Sequence, residues 1–470
     1  MTPDPELAAG VPATTPAVTP ITPPTPIPSR RTALSFLGIA TGNFLVLLDA
    51  SILNVALPDM RRDLHAPAAA LPWTVDAYTV VFAGLMLAAG AIADRFGARR
   101  VYIASLVSFA AICLLSAASP DIGTLIAGRA LLGVAAAGLV PASLALLAGL
   151  YPDPVRRTRA IGTWAGVTTL GLVAGPVLGG LLVSAGGWRL VLLVNPPIAL
   201  LGLLAARRLD APRPQNPRRI DRAGLALSIL TLGALTFGLV DGGTAGWSRP
   251  LPWIALALAA IAAAALVFAE HRVAHPALPP ALISLGRVRA AMIAGAAANF
   301  VFYGILFALT QWLQNVRGLD PLDAGLAMLP GMVVLGLCAT QSGRLIARFG
   351  ARHLIYVGLA VDALAGVLLA LVGSHTPLVA IIGVQFVIGI GGPLVIPTVT
   401  AELASATPPH LAATGQGALN TARQAGSALG VAVLGTLAGP HSSGPALAAG
   451  SLVALAVIVL ANRAPSALHT

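Results

Sequence analysis

The chain has 470 residues, of which 57% are hydrophobic and only 10% charged. Soluble domains carry about one-quarter charged residues, so this balance, with a mean hydropathy of +0.87, excludes an ordinary soluble domain and points to the membrane class. The net charge is +11, and all 28 Lys and Arg positions are arginine.

The missing lysine excludes a Walker-type phosphate loop and a lysine Schiff base. Cys113 and Cys338 both lie in apolar runs, so they are predicted to be buried free thiols, neither a disulfide nor a metal site. The basic excess does not suggest nucleic acid, because the arginines sit in short loops between apolar segments.

Residues 1–31 are rich in Pro and Thr and read as a disordered cytoplasmic tail. No cleavage site follows the first apolar run, so a cleaved signal peptide is not expected. Fourteen apolar segments then follow, at roughly 33–57, 72–93, 101–119, 122–147, 160–183, 188–206, 222–241, 251–269, 290–313, 322–343, 353–372, 377–400, 413–436 and 444–462. Each approaches the roughly 20 residues that a bilayer demands.

With a cytoplasmic N-terminus, the outer loops hold only Arg61, Arg62, Arg189, Arg249 and Arg317. Nearly all other arginines fall in inner loops and tails, so both termini are placed inside. Arg129 and Arg423 alone remain within the membrane.

A short basic turn joins the second and third spans, Gly90-Ala-Ile-Ala-Asp94-Arg95-Phe-Gly97-Ala-Arg99-Arg100. A near-copy, Gly343 to His353, joins the tenth and eleventh, and Arg95 to Arg99 is identical to Arg348 to Arg352. The offset is eight spans where two six-helix halves would give six, so two extra helices are inserted. The expected division is 32–206 as the N-terminal half, 207–221 as a cytoplasmic linker, and 222–269 as the inserted pair. A second linker spans 270–289, the C-terminal half 290–463, and a cytoplasmic tail 464–470. Two halves suit a carrier that rocks about a central site.

These features resemble the major facilitator superfamily, and within it the 14-helix drug:proton antiporters, such as actinomycete antibiotic exporters. Four motifs carry the resemblance. They are Leu47 to Pro58 in the first span, the Gly90–Arg100 turn, Arg129-Ala-Leu-Leu-Gly133 in the fourth span, and Gly171, Gly175, Pro176, Gly179 and Gly180 in the fifth. Trp73 to Tyr78, Trp188-Arg189, Asn195-Pro196 and Asn420 to Gln424 also look familial. The resemblance implies an all-α integral membrane fold of 14 helices in the bacterial cell membrane. It also implies a monomer that exports hydrophobic small molecules against protons, with no cofactor beyond the proton motive force. The fifth-span pattern accompanies exporters in that family. The competing reading is proton-coupled or passive uptake of a nutrient. No metal cluster, nucleophile elbow or catalytic carboxylate pair supports an enzyme.

Asp49 lies mid-way along the first span, where a charge is costly and faces a cavity or a partner. At 1.5 Å per residue, Asp49 and Arg129 sit about 12 and about 10 Å from the outer surface and so share a level. Asp49 is the expected proton carrier and Arg129 its tuning partner; a static ion pair is the alternative. Asp76 lies about 6 Å deep and is either a third coupling residue or an outer-mouth residue that meets water. Asp362 and Arg423 share a mid-membrane level and could pair, against a structural role for a peripheral eleventh span. Asn43, Asn54, Asn299, Tyr303, Gln311 and Gln385 are candidate polar liners or interhelical hydrogen-bonders. The family resemblance gives the Gly90–Arg100 turn a gating role. Asp94 would cap the helix starting near residues 413–416 in the opposite half. Ala347 stands at the matching place of the second copy, so the latch would be one-sided.

Overall fold

A computed structural model describes residues 30–206, 222–272, 280–371, 375–407 and 412–437. Those residues are overwhelmingly helical, and twelve stretches among them are long and apolar enough to cross a membrane. The helices are α1 (Arg30–Asp63), α2 (Leu71–Phe96), α3 (Ala98–Ala117), α4 (Ile122–Leu150), α5 (Pro154–Gly186), α6 (Trp188–Leu193) and α7 (Asn195–Ala206). There follow α8 (Arg222–Ala245), α9 (Pro250–Arg272), α10 (Pro280–Ser284), α11 (Gly286–Asn315), α12 (Pro321–Phe349), α13 (Ala351–Ala370), α14 (Leu378–Ala406) and α15 (Ala412–Leu437).

Most predicted spans reappear with longer ends, because the helices continue past the apolar core on both sides. The sixth is broken into α6 and α7, at the point where Pro196 and Pro197 remove two backbone donors. The short α10 lies in the stretch expected to be a linker. α15 is helical as expected but is not among the twelve apolar spans; Gln416, Asn420, Arg423 and Gln424 make one side of it polar. The segment 444–462, the tail 1–29 and the linker 207–221 lie outside the described residues. Cys113 is buried and free, whereas Cys338 is only half-buried, a departure from the expectation for that residue.

Helix starts follow local chemistry. Asp121, Asp153 and Asp320 each accept a hydrogen bond from the backbone of Thr124, Arg156 or Asp323, capping α4, α5 and α12. Pro154 and Pro321 stand just inside two of these starts, where no donor is lost. The duplicated basic turn is a duplicated conformation. Gly97 (φ 92°) and Gly350 (φ 79°) each end one helix and begin the next, a backbone region that side chains disfavour. Arg95 stacks 5.6 Å from the Phe96 ring, and Arg348 stacks 5.2 Å from the Phe349 ring.

In the first helix group, α1 packs along α5 and α7, while α4 packs on α2 and α3. In the second, α11 packs along α15, and α14 lies against both α12 and α13. The groups meet where α5 touches α12 and where α2 touches α15. The α8–α9 hairpin rests on α2 and α15 through α8. Ile254, Ile261, Val267 and Phe268 of α9 stay exposed, as apolar side chains facing lipid do.

The α5–α12 contact shows how the groups sit. A methyl on Gly180 would lie 2.3 Å from the Pro321 carbonyl oxygen, and one on Gly325 would lie 2.3 Å from that of Pro176. Further along the same stripe, a methyl on Gly336 would be 3.8 Å from Val173, an ordinary contact. Beyond that, Gly166, Gly162 and Gly343 would meet nothing within 4 Å. The two helices therefore touch at the end remote from the basic turns and splay apart towards the basic-turn end. At the closed end, the Gln314 Nε2 donates to the Val55 carbonyl across the groups at 3.0 Å. The Trp188 amide and indole bind Asp59 and Asp63, each at 2.9 Å, tying α6 to the end of α1 there.

Candidate functional site: a buried ion pair beside a central cavity

Asp49 and Arg129 meet. The Arg129 Nη1 lies 2.6 Å from the Asp49 Oδ2, and the Arg129 and Asp49 side chains are 1% and 0% exposed. A lone buried guanidinium is costly by several kcal/mol. Here its demands are met on three sides. The Nε donates to the Thr74 carbonyl at 2.9 Å, the Nη1 binds Asp49, and the Tyr78 ring lies 4.7 Å from the Arg129 Cζ. Gly133, one turn after Arg129, explains the approach. A methyl there would fall 2.5 Å from the Tyr78 carbonyl oxygen, so only glycine lets α4 press on the α2 backbone this closely.

Asn195 completes the cluster, with its Nδ2 3.4 Å from the Asp49 Oδ1 and 3.6 Å from the Cys113 Sγ. The break between α6 and α7 puts Asn195 there, fully buried. The Asn195-Pro196 pattern was the sequence signal for it, though not for its contact. A narrow cavity with room for about one water opens beside the pair. It is lined by residues of both groups, among them Leu53, Tyr78, Arg129, Tyr303, Gln424 and Ser427.

The fifth-span glycines make two separate contacts. Methyls on Gly171, Gly175 and Gly179 would meet the Phe44 carbonyl oxygen at 2.6 Å, the Ser51 Oγ at 1.9 Å and the Ile52 carbonyl oxygen at 2.7 Å, so this stripe seats α5 on α1. Pro176 and Gly180 face α12 at the closed end.

Other candidates fall elsewhere. Asp76 is fully buried, and neither carboxylate oxygen has a partner. The outer-mouth reading is therefore corrected, because α2 is packed between α4, α15 and α8. Trp73 packs on Phe237, and Gly84 packs on Ile229. Asp362 and Arg423 form no ion pair, which corrects that expectation. Asp362 is pressed against Gly391 of α14, where a methyl would lie 1.8 Å from its Oδ1. Arg423 lies against Gly295 of α11. Of the polar liners, Tyr303 borders the cavity, Asn299 holds Ser427 at 3.0 Å and Asn43 holds Thr168 at 3.0 Å. In the basic turn, Gly90 is open on its free side, and Arg95 and Arg100 are exposed. Arg99 is half-buried. The side chains of Asp94 and of residues 412–414 lie outside the described residues, and the expected latch falls there.

A family model described as the Major Facilitator Superfamily matches residues 39–431. The chain belongs to the major facilitator superfamily. It is accordingly a multi-pass transporter of the cell membrane and not an enzyme. It is 34% identical over 400 residues to a methylenomycin A resistance protein of Bacillus subtilis, covering 85% of this chain and 86% of the relative. It is 37% identical to the cephamycin export protein CmcT of Amycolatopsis lactamdurans, covering 90% and 89%. With the multidrug resistance protein Stp of Mycobacterium tuberculosis it shares 32% identity, over 87% of this chain and 76% of that protein. Among solved structures, a peptide transporter POT superposes with a TM-score of 0.69 over 93% of this chain and 94% of that one. Its 17% identity makes this a likeness of superfamily fold alone.

Proposed function

We propose that this transporter exports hydrophobic drugs or antibiotics in exchange for protons, by alternating access. The observation that carries the reading is the Asp49–Arg129 pair, buried at 0% and 1% exposure beside a cavity shared by both helix groups. Burial raises the affinity of a carboxylate for a proton, and an adjacent guanidinium lowers it. A change in that contact as the groups rock would load and release a proton. Asp76, buried without a partner on α2, is a second group of this kind. Relatives named for antibiotic resistance and export support the export direction over nutrient uptake.

In this reading the carrier is a monomer of 14 helices, with the helix in 444–462 as the last, and both termini cytoplasmic. Residues 32–206 and 290–463 form the two halves, and 222–269 is the insertion. The tails at 1–31 and 464–470 and the linkers at 207–221 and 270–289 lie on the cytoplasmic side. The splayed basic-turn end then faces the cytoplasm, ready to receive substrate. Asp94 caps the helix near 413–416 when that end closes. No cofactor is required beyond the proton motive force. The test is expression in a drug-sensitive host, with inhibitory concentrations measured across a compound panel with and without a protonophore. Resistance that collapses with the gradient supports antiport; resistance indifferent to it refutes proton coupling.

A further inference from the structure

We propose that Arg423 recognises anions between the two helix groups, next to the cavity that is one water wide in this conformation, and that the molecules carried are acidic amphiphiles bearing a carboxylate or a comparable anion. The inference rests on the export reading and narrows its substrate class.

Arg423 lies eleven residues into α15, about 16 Å from the start of that helix, and thus deep in the bilayer. Four residues on, Ser427 lines the cavity, and so does Gln424. Residues i and i+4 share a helix face. Arg423 is half-buried at that depth, with α11 at Gly295 on its other side. Its Nη1 donates to the neutral Asn420 at 3.3 Å, and its buried Nε finds no acceptor.

Among the described residues no Asp or Glu forms an ion pair with Arg423. Asp49 is held by Arg129, and Glu402 by Arg287. Asp59 and Asp63 hold the Trp188 pair, while Asp121, Asp153 and Asp320 cap helices. Asp362 sits in the α13–α14 seam, and Asp76 is buried on α2 with no hydrogen-bond partner. From residue 403 to 470 the sequence has no Asp or Glu, so the end of the chain offers no carboxylate side chain. Among the described residues, then, the cavity is bordered by one neutral ion pair through Arg129, and Arg423, on the helix face of Ser427, has no carboxylate partner.

An uncompensated charge at membrane depth is tolerated while water reaches it, and is costly once water is excluded. α5 and α12 are splayed at the basic-turn end in this conformation, and Arg423 is partly exposed. When the groups close, a bound anion supplies what Arg423 lacks. A guanidinium suits a planar carboxylate through paired N–H donors. A cationic substrate would meet repulsion.

The test uses the purified full chain in nanodiscs of zwitterionic lipid. The probes are 4-(1-pyrenyl)butyrate, its methyl ester and the matching quaternary ammonium, with saturable binding read by fluorescence. The wild type is expected to bind the carboxylate about tenfold more tightly than the ester, about 1.4 kcal/mol, and the ammonium most weakly. Arg423→Gln should reduce the carboxylate preference to under about twofold, and Arg423→Lys should retain part of it. Equal binding of carboxylate and ester by the wild type, or no saturable carboxylate binding, overturns the inference without needing any variant. An unchanged preference in Arg423→Gln overturns it too. Gradient-dependent resistance to neutral or cationic drugs alone would leave the export reading standing and refute this one.

Discussion

Asp49→Asn separates a proton carrier from a structural ion pair, because the amide keeps the shape and the Asn195 contact while removing the charge. The structure sets the cost. Arg129 is 1% exposed, and its Nη1 partner is the Asp49 Oδ2 at 2.6 Å. Removing that partner strands a buried cation, at about 3–5 kcal/mol of stability. Arg129→Met strands a carboxylate instead, which can neutralise by taking a proton, so the loss is about 1–3 kcal/mol. The double variant, Asp49→Asn combined with Arg129→Met, strands nothing, and its stability should return to within about 1–2 kcal/mol of wild type. Thermal unfolding in nanodiscs measures this order. Transport then divides the roles. Gradient-driven export in inverted vesicles should be lost in Asp49→Asn and stay lost in the double variant, although its fold is repaired. Gradient-independent counterflow should recover with stability. Full gradient-driven export by Asp49→Asn would refute the proton role. A double variant as unstable as Asp49→Asn would refute the ion-pair energetics.

At the closed end, Gly180→Val and Gly325→Val each aim a side chain at a backbone oxygen 2.3 Å away that cannot retreat. Both should open that end and raise maleimide labelling of Gln314→Cys, whereas Gly336→Val, with 3.8 Å to spare, should not. Gly391→Ala should lower the melting temperature, at a cost of about 1–3 kcal/mol from overpacking against Asp362; Asp362→Ala in the same chain should restore it. Asp94→Asn should slow export, and adding Ala347→Asp should restore nothing; wild-type export by Asp94→Asn would refute the latch. Asp121 is held below the ordinary carboxylate range first by the Thr124 hydroxyl and then by the Thr124 amide. Its folded value lies under its unfolded one, so the stabilisation of the α4 cap is complete above the ordinary value. That stabilisation is lost as pH falls through the lowered one. Amide exchange at Thr124, corrected for its intrinsic rate, should accelerate only in strong acid, and Asp121→Asn should abolish that dependence.

The helices were legible because membrane helices are chosen by apolar length, and length survives in sequence. The duplicated turn was legible for a related reason. An Arg-Phe-Gly-Ala-Arg repeat with glycine at positive φ reproduces one backbone at Gly97 and Gly350. Other features escaped because they depend on what packs where. Nothing in a count of apolar residues says that Pro196 would break a span and hand Asn195 to Asp49. Asp76 is fully buried because α2 is packed between α4, α15 and α8, two of which lie far along the chain. α15 shows the opposite limit. Its polar side lowered its apolarity, yet that side is what borders the cavity.

Depth and direction explain which charge pairs could be read. A rise of 1.5 Å per residue converts position into depth, and both proposed pairs share a level on that arithmetic. Direction around the helix decides the outcome. Gly133 lets α4 close on α2, and that contact turns Arg129 towards Asp49. For the other pair, α13 rests on α14 and α15 rests on α11, so the seams that bury Asp362 and Arg423 are different ones. One arginine thus pairs its charge with a carboxylate, and the other has none in contact among the described residues. In the proposed mechanism Arg129 holds the carboxylate that answers the proton gradient, and Arg423 answers what enters from the splayed end.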